Sequence, residues 1–261
     1  MQQQDTSLKI ALLQSPLHWE DPQRNRDMFA SKCELLADDI DVIVLPEMFT
    51  TGFTMSPQNI DVAESEITVD WMKNLASEKG AALIGSTVFQ EGRSYFNRLF
   101  FVTPEGATVS YDKRHTFTLA GEHRKYKAGK DRLLVRYKGF TFCPLICYDL
   151  RFPVWSRNTE DYDVLLYVAN WPAPRITAWD ILLKARAIEN MAYCIGVNRV
   201  GSDNEGHEYP GHTAAYDPLG SMVAYSEKEE VVELVIMKRE VDNVRTQLRF
   251  LEDRDHFTLK G

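Results

Sequence analysis

Apolar runs rich in β-branched residues alternate along this chain with stretches whose apolar residues recur at helical spacing, the pattern of an α/β layer fold. The first strand is predicted at Lys9 to Gln14. Asp21-Pro22 then supplies an N-cap followed by proline at the first helical position, and Met28, Phe29, Leu35 and Leu36 carry a helix as far as Asp38-Asp39. Asp41 to Leu45 forms a buried strand that ends at Pro46-Glu47. A second helix runs from Thr68 through Trp71, Met72 and Leu75 and stops at Gly80, and Ala82 to Phe89 is again a strand. Tyr95 to Thr103 and Ala107 to Asp112 flank Pro104-Glu105-Gly106, a turn-forming set, and so make a hairpin.

Lys113 to Asp131 breaks this rhythm. It is basic, punctuated by glycine and without periodicity, which marks a long functional loop. Leu133 to Tyr137 and Phe140 to Ile146 follow as strands, then a short helix after Phe152-Pro153. Val164 to Ala169 is an almost unbroken apolar strand, Thr177 to Asn190 a helix presenting Trp179, Leu182, Leu183 and Ala187, and Tyr193 to Asn198 another strand. A strand pair around Asp217-Pro218-Leu219-Gly220, an edge strand Val231 to Ile236 and a polar closing helix complete the chain.

Composition narrows the function. With 261 residues, 44% of them hydrophobic, the chain can bury a full core, and one domain spanning 1–261 is the expected organisation. A net charge of -8, with the basic residues scattered, argues against nucleic acid as a partner and favours a small molecule. The polar stretch Met1 to Ser7 has no apolar signal core and no run is long enough to span a bilayer, so a cytoplasmic protein without a membrane partner is expected. Cys33, Cys143, Cys147 and Cys194 are too few and too irregular for a disulfide framework or a zinc knuckle. Cys143, four residues before Cys147, is expected to be a core residue of the same strand face, with Pro144 marking an irregular or edge position. His207-Glu208-Tyr209-Pro210-Gly211-His212 superficially resembles a zinc-protease helix, but its histidines are five apart and Pro-Gly would break that helix, so a loop is expected.

Three strand ends carry ionisable groups: Glu47, Lys113 and Cys147. In α/β sheets ligands bind beyond the carboxyl ends of strands, so these positions can converge. Singly each has a bland reading, as a solvated turn glutamate, a surface lysine and a buried apolar cysteine. Together they are what amide hydrolysis by a thiol requires, because the thiolate attacks and a free cysteine is mostly protonated at neutral pH. Glu47 would take the proton, and Lys113 with the backbone N–H of Tyr148 would hold the oxyanion, an interaction worth roughly 3 to 4 kcal/mol per donor. Glu47 would then protonate the leaving amine and activate the water that cleaves the thioester.

Leu45-Pro46-Glu47, Asp112-Lys113 and Cys147-Tyr148-Asp149-Leu150-Arg151-Phe152-Pro153 resemble, in order and spacing, the three signature segments of the carbon-nitrogen hydrolase family, the nitrilase superfamily. Further similarity at Gly121-Glu122, Asn170-Trp171-Pro172, Arg186 to Asn190, Asn198-Arg199 and Gly211-His212 extends it over almost the whole chain. The resemblance implies a four-layer αββα sandwich, a Glu-Lys-Cys triad, a thioester intermediate, no metal or organic cofactor, and a homodimer or larger homo-oligomer. It makes Glu122 the second glutamate, which orients the lysine and substrate; its bland reading is a loop carboxylate among His123, Arg124 and Lys125.

Met48 to Phe53 and Tyr148-Asp149 resemble the omega-amidase branch, whose substrates are 2-oxoglutaramate and 2-oxosuccinamate. The alternatives are another small-molecule amidase or N-carbamoyl amidohydrolase of the family, a non-catalytic binding protein on this fold, and thiol redox sensing by a low-pKa Cys147. A substrate carboxylate calls for a cation, for which Arg175, Arg199, Arg151 and Lys125 are available. Phe49, Phe53 and Trp171 are either the apolar wall of the pocket or core, and Asn170 completes the expected substrate contacts.

Overall fold

In the computed structural model, which describes residues 6–259, the elements run β1 (Ser7–Gln14), α1 (Pro22–Glu34), β2 (Val42–Val44), α2 (Glu64–Lys79), β3 (Ala82–Glu91), β4 (Ser94–Val102), β5 (Thr108–Asp112), β6 (Val135–Tyr137), β7 (Phe140–Ile146), α3 (Pro153–Ser156), β8 (Val164–Val168), α4 (Ile176–Asn190), β9 (Tyr193–Val197), β10 (Val200–Ser202), β11 (Glu208–Pro210), β12 (Thr213–Tyr216), β13 (Met222–Ser226), β14 (Glu230–Met237) and α5 (Lys238–Leu248). They build two six-stranded sheets, ordered β14-β1-β2-β3-β4-β5 and β13-β12-β9-β8-β7-β6, and a small β10-β11 ribbon. Each sheet is parallel at its centre, where helices cross over, and antiparallel toward its edges.

Strand periodicity sorts the side chains into layers. Successive residues of a strand point to opposite faces. Leu8, Ile10 and Leu12 of β1, with Val42, Val44, Ala82, Ile84, Leu99 and Phe101, therefore enter the core shared with the second sheet. Their neighbours Ala11, Leu13, Ile43, Leu83, Phe100 and Val102 face α1 and α2. Across the sandwich Phe101 meets Tyr137 and Phe142 edge-on, at centroid distances of 5.7 and 5.6 Å. Trp179, Leu183 and Ala187 seal α4 onto the outside of the second sheet. The result is the α-β-β-α layering that the resemblance implies.

The Asp21 carboxylate caps α1 by accepting the Arg24 N–H at 3.1 Å, and Pro22 opens the helix. The helix ends at Glu34, short of Asp38-Asp39; Leu35 is 88% exposed and only Leu36 turns into the core. α2 begins four residues before Thr68, because Glu64 and Glu66 favour its first turn through the helix dipole, and it stops at the left-handed Gly80. Gly92 (φ 59°) turns β3 directly into β4, a second hairpin beside the expected β4–β5 one. The strand pair around Asp217 to Gly220 and the edge strand β14 lie as expected.

Two local expectations change. Glu208–Pro210 is a strand paired with Val200–Ser202, not a loop. Its three residues are too few for alternation to register, and its shape is held by the Asp203 carboxylate, which accepts the Glu205 and His207 N–H groups at 2.9 Å and the Tyr209 hydroxyl at 2.8 Å. Pro144 sits inside the second sheet, opposite Leu166, rather than in an edge strand. It is tolerated because β6 pairs only as far as Phe142, leaving that flank of Pro144 without a partner strand.

Among the described residues no helix is long and apolar enough to cross a membrane. Close approach of α4 to β9 depends on Gly196, where an added Cβ would stand 2.6 Å from both Leu183 Cδ1 and Trp179 Cζ2. Gly196→Val is expected to lower folding stability by about 1–3 kcal/mol through overpacking, read as a shift in the urea midpoint at unchanged slope. An unshifted midpoint would show that this seam has slack.

Candidate active site

Glu47 follows β2 by three residues, Lys113 follows β5 directly and Cys147 follows β7 directly. β2 and β5 belong to the first sheet and β7 to the second, so packing of the sheets face to face brings them together. Lys113 Nζ lies 2.8 Å from Glu47 Oε1 and 2.9 Å from Glu122 Oε2, and all three side chains are buried. Phe53 lies against the ammonium, its ring centroid 5.1 Å from Nζ.

These carboxylates are held by neutral donors. Asn97, from β4, donates Nδ2 to Glu47 Oε1 at 2.8 Å and to Glu122 Oε1 at 3.3 Å, and accepts the Ser86 hydroxyl at 2.9 Å. The Asn170 N–H donates to Glu47 Oε2 at 2.8 Å, and its Nδ2 to the Glu47 carbonyl at 2.6 Å. The Phe117 N–H donates to Glu122 Oε2 at 2.5 Å. All four carboxylate oxygens of Glu47 and Glu122 thus accept hydrogen bonds, which is the condition for charges to persist out of water.

Two residues flanking the cluster are left-handed although neither is glycine: Met48 (φ 44°) and Cys147 (φ 43°). Such a conformation costs on the order of 1–3 kcal/mol per residue and survives only where the surroundings impose it. At Met48 the N–H is held by Ser86 Oγ at 2.9 Å. At Cys147 the chain leaves β7 for a single 3₁₀ turn, Cys147–Arg151, whose first N–H groups, Tyr148's among them, lack partners within the turn.

Electrostatics fixes the resting protonation. Burial pushes the Cys147 thiol well above its ordinary range; the nearby Glu47 charge acts the same way, and Lys113 opposes them without prevailing, while the thiol itself donates to the Asn170 carbonyl at 3.9 Å. The resting thiol is therefore neutral. Burial alone would drive the proton off Lys113, but Glu122, Glu47 and Cys147 together outweigh it and hold the ammonium charged. Burial raises the Glu122 pKa, with Lys113 opposing and Glu47 adding. A low-pKa, oxidation-prone Cys147 therefore has no support in this geometry. Cys143 is a buried core thiol, pushed by burial to about 12.

Cys147 opens on a cavity of about 380 Å³, within the range of small-molecule sites. Of the expected contacts, Phe53, Tyr148, Asn170, Trp171, Arg175 and Arg151 line it. Phe49 does not: it is fully buried against Phe29 and Trp71 and belongs to the helix-side core. Arg199 also lies outside the lining. Its buried guanidinium donates to the Val200 and Ser202 carbonyls at 3.2 and 2.9 Å and stacks under Tyr209, so it braces the β10–β11 ribbon. Lys125 is exposed, away from the cavity. The ribbon in turn brings Asp203, Glu205, His207 and Tyr209 to the cavity mouth.

Asn97 and Ser86 are not among the residues to which the sequence motifs point. A signal existed: Asn97 shares the inward parity of Leu99 and Phe101, and a polar residue on a core-facing strand position requires a partner. Among the described residues no group of three or more His, Cys, Asp or Glu is arranged to hold a metal ion.

A carbon-nitrogen hydrolase family model matches residues 9–247. The chain is 44% identical over 254 residues to the omega-amidase YafV of Escherichia coli strain K12, covering 97% of this chain and 98% of that protein. It is 33% identical over 252 residues to the 2-oxoglutaramate amidase of Bacillus subtilis strain 168, covering 94% and 96%. Among solved structures, a CN-hydrolase superfamily protein from Xanthomonas campestris with an arsenic adduct in its active site aligns with a TM-score of 0.94 at 40% identity, covering 99% of this chain and 100% of that one.

The charge count of the cluster sets its response to mutation. Lys113→Met would leave two buried carboxylates uncompensated and is expected to cost about 3–5 kcal/mol of stability, whereas Glu122→Gln keeps Lys113 paired with Glu47 but sets its NH2 against the ammonium and either the Phe117 N–H or the Asn97 amide, and should cost about 1–3 kcal/mol. Urea denaturation at neutral pH measures both, and equal losses would contradict this balance.

Proposed function

Because the chain belongs to the carbon-nitrogen hydrolase family, we propose that it is an omega-amidase, cleaving the terminal amide of 2-oxoglutaramate or 2-oxosuccinamate to the oxo acid and ammonia. The observation that carries the choice of substrate is a pair of guanidiniums. Arg151 and Arg175 both line the cavity that holds Cys147, and neither has a carboxylate partner among the described residues. Each instead rests on an aromatic ring, Arg151 on Trp171 and Arg175 on Phe117, both at 5.0 Å. An unpaired, stacked guanidinium is pre-organised for a substrate carboxylate. Asp203, at the cavity mouth, already accepts the Glu205 and His207 N–H groups and the Tyr209 hydroxyl, which leaves its carboxylate little capacity for an α-ammonium.

In this reading Cys147 is the nucleophile. Its sulfur bonds to the amide carbon as its proton passes to Glu47, and the carbonyl π electrons move onto oxygen. Lys113 Nζ donates to Glu47 Oε1 at 2.8 Å and to Glu122 Oε1 and Oε2 at 3.1 and 2.9 Å, and its positive charge, together with the Tyr148 N–H, stabilises the oxyanion. Asn170 Oδ1 is buried and has no hydrogen-bond partner among the described residues, while Nδ2 is fixed on the Glu47 carbonyl. That free acceptor suits an N–H of the substrate carboxamide. Protonated Glu47 then gives its proton to nitrogen as the carbon-nitrogen bond breaks and ammonia leaves. Glu47, again a carboxylate, removes a proton from water, whose oxygen attacks the thioester; the carbon-sulfur bond breaks and the thiol recovers its proton. Glu122 holds Lys113 in place throughout.

The reading extends to a cytoplasmic enzyme acting as a homodimer or larger assembly. All four cysteines are free, as suits a reducing compartment, and exposed Ile181 and Ile188 on α4, with Leu219 nearby, offer an apolar face to a second copy.

Ammonia release from 2-oxoglutaramate is expected and should vanish in Cys147→Ala. Arg175→Met is expected to raise KM for this anionic substrate by about 10- to 150-fold, the loss of one charge-assisted hydrogen-bonded contact, while leaving turnover of an uncharged aliphatic amide nearly unchanged. A panel including glutamine and N-carbamoyl amino acids tests the alternatives; higher kcat/KM on a carbamoyl substrate would overturn the assignment.

A further inference from the structure

Asp149 lies two residues after the nucleophile, does not line the cavity and is fully buried. Its carboxylate nevertheless gathers donors from both sheets. Oδ2 accepts the Tyr111 hydroxyl at 2.7 Å and the Ile146 N–H at 3.1 Å. Oδ1 accepts the His115 N–H at 2.9 Å and lies 2.7 Å from His115 Nδ1. Tyr111 and His115 bracket Lys113 by two residues on either side, and Ile146 immediately precedes Cys147. One carboxylate is therefore tied to the chain before and after the ammonium and to the residue entering the left-handed turn of the thiol.

The supporting groups are themselves pinned. The Tyr111 oxygen accepts Trp155 Nε1 at 3.0 Å and the Arg114 N–H at 3.1 Å, and the His115 ring stacks on Phe152 at 3.7 Å. No other described side chain bonds to both the Lys113 segment and the strand end that delivers Cys147. We propose that Asp149 is a positioning residue for the hydrolysis: it sets the spacing of Lys113 and Cys147 and imposes the strained backbone of the nucleophile, without touching substrate. The proposal rests on the assignment of Cys147 as nucleophile.

Asparagine has the same shape but cannot replace it. Whichever way its amide turned, the NH2 would confront a backbone N–H, that of Ile146 on one side or of His115 on the other. In the full-length enzyme Asp149→Asn is expected to lower kcat about 100-fold, the scale of a displacement near 1 Å, with KM for 2-oxoglutaramate changed less than threefold. Tyr111→Phe, which removes one donor to Asp149 and the acceptor of Trp155 Nε1 and the Arg114 N–H, is expected to lower kcat about 3- to 10-fold. Iodoacetamide alkylation of Cys147, followed by peptide mapping, should slow in parallel; because it needs no substrate, a wrong substrate assignment leaves this readout intact.

Both rates are normalised to folded enzyme by near-ultraviolet circular dichroism. A merely structural role would leave normalised kcat and alkylation at wild-type values, which would overturn the proposal. Should Asp149→Asn fail to fold, Tyr111→Phe decides it alone: a parallel fall in kcat and alkylation supports the positioning role, and unchanged values refute it.

Discussion

One buried ammonium shared by two carboxylates is the interaction around which this molecule is arranged. Lys113 stands between Glu47 and Glu122 at a place where none of the three reaches solvent. Such groups can be withdrawn from water only where they are paired and hydrogen-bonded, since an uncompensated ion in such a place costs several kcal/mol, and here one ammonium serves two carboxylates. Asn97 (itself held by Ser86), Asn170 and the Phe117 N–H supply the hydrogen bonds to the carboxylates. They come from β4, from the chain beyond β8, from β3 and from the long loop, so the cluster exists only when both sheets and that loop are in register.

The sandwich makes that register possible. A one-residue slip in any central strand would exchange its two faces, sending Leu99 and Phe101 toward the helices and Phe100 and Val102 toward the other sheet. Apolar side chains fill both layers, so such a slip carries no large hydrophobic penalty at most positions. At Asn97 and Ser86 it carries a polar one, because it would take the Asn97 amide away from Glu47 and Glu122 and the Ser86 hydroxyl away from Asn97. Polar groups on core-facing positions thus specify a register that hydrophobic burial alone leaves loose.

How far the sequence could be read follows from this division. Layering, element order and the helix signals at Asp21-Pro22 and Gly80 are local, carried by periodicity and by single residues with strong conformational preferences. The convergence of Glu47, Lys113 and Cys147 was legible because strand ends in α/β sheets share one edge. What was hidden depends on distant pairing. Phe49 and Arg199 looked like substrate contacts, yet one packs on Phe29 and Trp71 and the other braces a ribbon whose strands are too short to show alternation. Which cation remained unpaired could be known only once every carboxylate had found its partner.

The same cluster accounts for how a neutral thiol can serve as a nucleophile. Burial and Glu47 keep Cys147 protonated at rest, so the site holds no preformed thiolate. In the proposed attack the thiol proton moves to Glu47 while negative charge appears on the substrate oxygen. The number of buried charges does not change: a carboxylate is neutralised as an oxyanion forms, and Lys113 faces both. Charge moves a few ångströms along a fixed ammonium, with Glu122 unmoved behind it. Water around a solvated ion pair would have to reorient for that shift; dipoles already locked by Asn97, Asn170 and the turn at Cys147 do not, and this pre-arrangement is the larger part of what such a site contributes to rate.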